Sequence, residues 1–240
     1  MTNTIHTSRT IMVTELSKVM DYSIDNDSYL ESLSRNVTGK KSNSGVAKTA
    51  NYLKRLYGFD LMDPLFAAFR YFWKFSEANE KPLLAFVYAV YHDDLLAESV
   101  QVLRDTKRSE KATIESFEEV IEKHHSNQYS SKTRRSVAQN IASSWKQAGF
   151  IEGKVKNIRT QPEIGYRIAC FAFLSAYLKG DRGDFIWHSN GVNAFCLNET
   201  RLRELAIDCA KRDLIQYQYA GSVTVISFNN LIKKIGIDAI

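Results

Sequence analysis

Between Ser130 and Thr160 the chain carries seven basic residues, Lys132, Arg134, Arg135, Lys146, Lys154, Lys156 and Arg159, against one acid, Glu152. Arginine, glutamine and asparagine can make paired hydrogen bonds to base edges, while lysine and serine suit phosphate oxygens. The segment holds that set in Arg134, Arg135, Gln139, Asn140, Ser143, Lys146 and Gln147. On a helix, Arg135, Gln139 and Lys146 fall at i, i+4 and i+11, along one stripe. Val137, Ile141, Trp145 and Ala148 occupy the other side. Lys154, Lys156 and Arg159 follow where Ile151 and Val155 alternate with polar residues, the pattern of a short strand and basic wing. These residues are candidate nucleic-acid contacts. The plain alternative is a solvated helix face, and the near absence of acids weighs against it.

A second basic stretch runs from Arg35 to Arg55, with six bases and no acid. Lys40, Lys41, Lys48, Lys54 and Arg55 are the candidate contacts here, with Ser42, Asn43, Ser44 and Thr49 as hydrogen-bonding groups. From Ser76 to Lys123, eleven acids face six bases, so the net charge of +5 gathers in two segments separated by an acidic spacer. Clustered cations of this kind mark a polyanion partner. In the last third, Arg201, Arg203, Lys211 and Arg212 are offset by Glu199, Glu204, Asp208 and Asp213, which favours a domain–domain or protein–protein role there over DNA contact.

Catalytic constellations are poor. His124-His125 has no third ligand at metal spacing and reads as a surface pair. His92-Asp93-Asp94 has no partner motif and reads as a helix terminus. No dinucleotide, P-loop, nucleophile-elbow or zinc-protease motif occurs. Cys170, Cys196 and Cys209 form an odd set without paired spacing, as expected of free thiols in a reducing compartment. The expectation is a cytoplasmic, non-enzymatic protein without cofactor, metal or membrane span.

The elements that would position these residues are mostly helices, in keeping with three prolines and 11 glycines among 240 residues. The first eight or so residues are polar and read as loose. Apolar spacing then predicts a helix from Ile11 with a break at residues 25–28 and a shorter helix to Leu33. A polar turn, Thr38–Gly45, leads into a helix over Val46–Tyr57 that stops at Gly58. Asp63-Pro64 starts an aromatic helix to Phe75 whose rings read as core. Pro82 opens another helix. Leu95–Arg104 and Ile114–His124 follow, the second capped by Thr113. Ser130 or Ser131 caps a helix to Ala148, ended by Gly149 with Phe150 packing back. Ile164–Leu178 and Glu199–Arg212 are helices, and Leu214–Tyr219 with Ser222–Phe228 form a hairpin through Ala220-Gly221. The fold class is mostly α: a helical bundle with helix-turn-helix or winged-helix-like subdomains and short β-hairpin wings. The expected divisions are 1–62, 63–129, 130–163 and 164–240.

The stretch Ser131-Lys-Thr-Arg-Arg-Ser-Val-Ala-Gln-Asn-Ile-Ala-Ser-Ser-Trp145-Lys-Gln-Ala-Gly-Phe150, after an all-helical first half and before a final Ala-Gly hairpin, resembles the small helical A component of BREX bacteriophage-exclusion systems. The resemblance implies double-stranded DNA binding without strong sequence preference, in a bacterial defence system whose other proteins are possible partners. Charge alone does not separate DNA from RNA. The rival reading is a helical adaptor whose aromatic and acidic middle docks another protein without touching nucleic acid.

Overall fold

Helix starts follow local capping chemistry. Ser42, Asp63, Thr113, Ser130 and Asn198 each accept a hydrogen bond from a backbone amide two or three residues on, and a helix begins after each. The computed structural model describes residues 2–153, 155–221 and 223–237, so the wing candidate Lys154 lies outside the described residues. Along the chain run α1 (Val13–Ser23), α2 (Tyr29–Ser34), α3 (Asn43–Tyr57), α4 (Pro64–Phe75) and α5 (Lys81–Val90). Next come α6 (Asp94–Glu98), α7 (Val100–Asp105), α8 (Ile114–His124) and α9 (Ser131–Gln147). Strands β1 (Ile151–Glu152) and β2 (Ile158–Arg159) precede α10 (Tyr166–Leu178), α11 (Asn190–Asn193) and α12 (Glu199–Ala210). The hairpin β3 (Gln216–Ala220) and β4 (Val223–Ser227) leads into α13 (Asn229–Ile235). The protein is mostly helical, with two antiparallel two-stranded sheets among the described residues.

Two compact units share the chain: one is built from residues up to Asp60 together with Tyr88–Pro162, the other from Leu61–Val87 and the chain from Glu163 onward. The expected middle segment, 63–129, is thus divided between them, and α5 starts in one unit and ends in the other.

In the first unit α8 packs on α9, whose Val137, Ala138, Ile141, Ala142 and Trp145 are buried. Gly149 takes φ +84°, the Phe150 amide reaches back to the Trp145 carbonyl at 3.0 Å, and the two rings meet edge-to-face at 5.1 Å. Beyond this cap β1 pairs with β2, and Lys111 bridges antiparallel to Ile158 on the far side of β2. Ser109 donates to the Arg159 carbonyl and Ala112 to that of Asn157, so residues 109–112 are hydrogen-bonded along β2 without forming a strand of their own.

Three expectations are corrected in this unit. The helix expected from Val46 starts at Asn43, because Ser42 accepts from the Gly45 amide. The single helix expected over Leu95–Arg104 is two helices parted at Ser99, whose hydroxyl donates to the Leu96 carbonyl at 2.6 Å and accepts the Trp145 indole N–H at 2.8 Å. The N-terminal residues are not loose: Thr4, Ile5, His6, Ile11 and Met12 are buried.

The second unit forms around α10, whose residues Ile168–Ala176 are all buried between α4 and α12. Phe171 meets Phe69 and Phe72 at 5.9 and 5.7 Å, and Phe173 meets Trp187 edge-to-face at 5.2 Å. The aromatic face of α4 is core, as its spacing predicts, although Phe75 is exposed. Arg203 of α12 donates to the Thr224 and Tyr217 hydroxyls and lies 3.7 Å from the centre of the Tyr219 ring, which ties the hairpin to the helix. No helix among the described residues is long and apolar enough to cross a membrane.

Candidate nucleic-acid interface

Every described candidate contact falls in the first unit, where an N-terminal strap, residues 4–12, joins the two basic helices. From α3, Arg55 donates to the Thr4 carbonyl at 3.0 Å and the buried Tyr57 hydroxyl to the Ile11 carbonyl at 2.6 Å. From α9, the Asn140 amide donates to the His6 carbonyl at 2.8 Å, and Ser144 Oγ and Gln147 Oε1 accept from the amides of Ile11 and Val13. Burial, then the nearby Glu15 charge, pushes the Tyr57 phenol up, so it remains a neutral donor.

The strap is locked at His6. Its Nδ1 lies 2.8 Å from Asp93 Oδ2 and its Nε2 2.8 Å from Ser144 Oγ, with all three side chains buried. Asp93 also accepts from the Thr4 hydroxyl and from the amides of Ile5 and Leu96, the last as the cap of α6. Burial alone would raise the Asp93 pKa. The charge of the neighbouring His6 ring, its contact and the two amides outweigh that and hold the carboxyl below its ordinary value. The connectivity is that of a hydrolase triad. However, Ser144 Oγ also donates to the Asn140 carbonyl and accepts from Ile11, so the three groups act as a clamp on the strap. His92-Asp93-Asp94 stands at a helix terminus, with Asp93 in the clamp.

The α9 cations divide by neighbour. Arg134 pairs with Glu122 of α8, and Arg135 Nη1 lies 3.1 Å from both Glu115 and Glu118. Glu115 and Glu122 are both held below the ordinary carboxylate value. Glu115 is held low first by its own backbone amide and then by Arg135, and Glu122 first by the Asn127 amide and then by Arg134. The expectation that acids leave this face uncovered is therefore corrected for both arginines. Asn140 is committed to the strap. Arg159 is buried: its Nε donates to the Leu103 carbonyl, Nη2 donates to Gln161, and its guanidinium lies over Phe150. It is a structural residue of the β2 edge. Lys132, Gln139 and Lys156 are exposed and Lys146 half-buried. Lys132, Ser136, Gln139, Ser143 and Lys146 form a stripe at i, i+4, i+7, i+11 and i+14, outside both the seam with α8 and the side that holds the strap.

Lys41, just before α3, and Lys48, Lys54 and Arg55 on it are exposed, and Lys40 pairs with Glu15 of α1 at 2.7 Å. Lys40 and Gly45 line a groove of about 380 Å³ with Ser8, Arg9, Thr10, Met12, Glu15, Thr49 and Asn140, so the two basic segments flank one depression.

Four cations were not legible as site residues. Arg9 stands alone in its stretch of sequence, and the fold brings it to the groove, with its guanidinium 5.2 Å from the Tyr52 ring. Lys107, Arg108 and Lys111 are exposed in and before the segment that pairs with β2, the strand that Lys156 precedes. Averaging over the acidic stretch hides them. His125 accompanies Glu98 at 2.8 Å, and no group of three metal-capable side chains occurs among the described residues.

Comparison with protein-family models, with curated proteins and with solved structures finds no match to this chain.

Proposed function

We propose that the first unit is a winged-helix nucleic-acid-binding module, with α9 as the helix that enters the duplex groove and the β1–β2 pair, preceded at β2 by Lys156, as the wing. The observation that carries the reading is the order α8, α9, β1, β2 with residues 109–112 paired to β2, together with the α9 stripe Lys132–Gln139–Lys146 left outside the α8 seam. In that geometry the helix faces base edges and the wing's Lys156, with Lys107, Arg108 and Lys111, faces the neighbouring phosphate backbone. Lys41 before α3 and Lys48, Lys54 and Arg55 on it add sequence-independent attraction. Duplex DNA is the favoured polymer, in line with the resemblance to the BREX A component, and the role is that of a non-enzymatic, cytoplasmic DNA-binding member of a phage-defence system. The decisive experiment is a salt-titrated binding assay of the full chain against duplex DNA and structured RNA, repeated with Lys132→Glu combined with Lys146→Glu. Tight, salt-sensitive DNA binding that the double variant abolishes is expected; equal binding by the variant removes α9 from the interface.

One observation favours a partner protein for the second unit. The outer hairpin face exposes Val223 and Val225, with relative exposures of 59% and 50%, and Phe185 nearby in sequence to α11 is 73% exposed. Apolar side chains grouped on one sheet face suit a protein contact better than a polyanion.

A further inference from the structure

We infer that the groove lined by Arg9, Lys40, Thr49 and Asn140 at the start of α3 is a phosphate-binding site. The groove's volume, about 380 Å³, lies within the usual range of small-ligand sites. Three independent features converge on an oxyanion. First, α3 is 15 residues long and its first turn, where Gly45 lines the groove, has no acidic side chain. The Gly45 amide is held by Ser42 Oγ, so the aligned peptide dipoles of the helix supply the positive potential there. Second, the Thr49 side chain faces the groove with the residue only 3% exposed, and its hydroxyl makes no hydrogen bond among the described residues. The hydroxyl is thereby left available to a ligand oxygen in the groove, while the rest of the side chain is fixed by its burial. Third, Arg9 supplies a guanidinium whose one hydrogen bond among the described residues is to the Ser8 carbonyl, leaving most of its donors available.

The lining carries Arg9 and Lys40 against Glu15, one net positive charge. Glu15 holds Lys40 at 2.7 Å. A phosphate therefore competes with Glu15 for Lys40, and the acid limits affinity. This arrangement makes a prediction of opposite sign to the usual loss of function: removing the Glu15 charge strengthens binding. The inference rests on the nucleic-acid reading only for the origin of the phosphate, which is either a backbone phosphodiester or a free phosphorylated small molecule.

The test is calorimetric titration of the full chain with inorganic phosphate at low ionic strength, with folding of each variant checked by its thermal transition. Thr49→Val keeps the side-chain shape and should weaken phosphate binding about 5- to 10-fold, the loss of one hydrogen bond. Arg9→Gln should weaken it about tenfold or more, and Glu15→Gln should tighten it about 3- to 10-fold. Absence of phosphate binding, or a Glu15→Gln variant that binds no tighter, overturns the inference. Competition of phosphate by a short duplex supports the site with a backbone source, and phosphate bound together with duplex supports it with a free phosphorylated ligand. Loss of duplex binding in the Lys132/Lys146 variant has no bearing on this titration, so the two readings fail separately.

Discussion

Arg135 Nη1 lies midway between two carboxylates of the preceding helix, 3.1 Å from Glu115 Oε1 and 3.1 Å from Glu118 Oε2. A side chain whose type and spacing suit the reading of bases is therefore held across the α8–α9 seam. Its charge is covered unless nucleic-acid phosphate outcompetes α8. The first prediction follows from that competition. Glu115→Gln combined with Glu118→Gln should tighten duplex DNA binding about 3- to 10-fold at low salt, since a released arginine adds one phosphate contact. Reversal of Arg134 and Arg135 to glutamate should instead lower the thermal transition, because each new carboxylate faces existing ones. Electrophoretic titration and a melting curve on the same samples separate the two effects.

On the proposed function, the lysines without such partners should govern the salt response of duplex binding. Lys132 and Lys146 on α9 and Lys48 and Lys54 on α3 form no ion pair among the described residues. Each that contacts phosphate releases a counterion, so a single Lys→Ala change should lower the slope of log affinity against log salt by about one. Fluorescence anisotropy at five salt concentrations measures that slope for each variant. A lysine whose removal leaves it unchanged lies off the DNA.

How far the sequence speaks for itself differs between caps and clamps. Asp63-Pro64, Thr113, Ser130 and the Gly149–Phe150 stop act within a few residues of themselves, and the helices they bound are where their spacing puts them. The partners of Arg134 and Arg135 lie 12 to 20 residues away on another helix, so charge counting over a linear window misses them. The strap is further out of reach. Thr4 and His6 are polar residues near a terminus, and only Asp93 and Ser144, 89 and 138 residues downstream, make their burial favourable. Trp145 was legible as core, but its indole N–H breaking the helix run at Ser99 was not, because that contact spans 46 residues.

The clamp gives the third prediction, in two parts. Asp93→Ala removes one member of a buried pair and leaves His6, Thr4 and two amides without their acceptor. That should cost about 3–5 kcal/mol in denaturant unfolding. The Asp93 carboxyl is also held below its ordinary value of 3.8, so the unfolded chain binds the proton more tightly than the folded one. Its stabilisation is therefore complete above the unfolded value and is lost as pH falls through the lower folded one. In Asp93→Asn this part of the acid decline should be missing, measured as unfolding free energy between about pH 5 and pH 2.

The wing offers a paired prediction in which stability and binding part company. Arg159 is buried against Phe150 and bonded to Leu103 and Gln161, so Arg159→Ala removes packing and strands the Leu103 carbonyl in the interior. A loss of about 2–3 kcal/mol is expected. Lys156, exposed on the wing two residues before β2, has no such role. Lys156→Ala should leave the unfolding curve in place and weaken duplex binding about 2- to 5-fold at low salt, the share of one screened phosphate contact. Arg159→Ala, assayed below its transition temperature, should bind duplex nearly as well as the parent chain. The reverse pattern, with Arg159→Ala binding poorly while its melting curve is unmoved, would put that guanidinium on the nucleic acid and require the β2 edge to open when the complex forms.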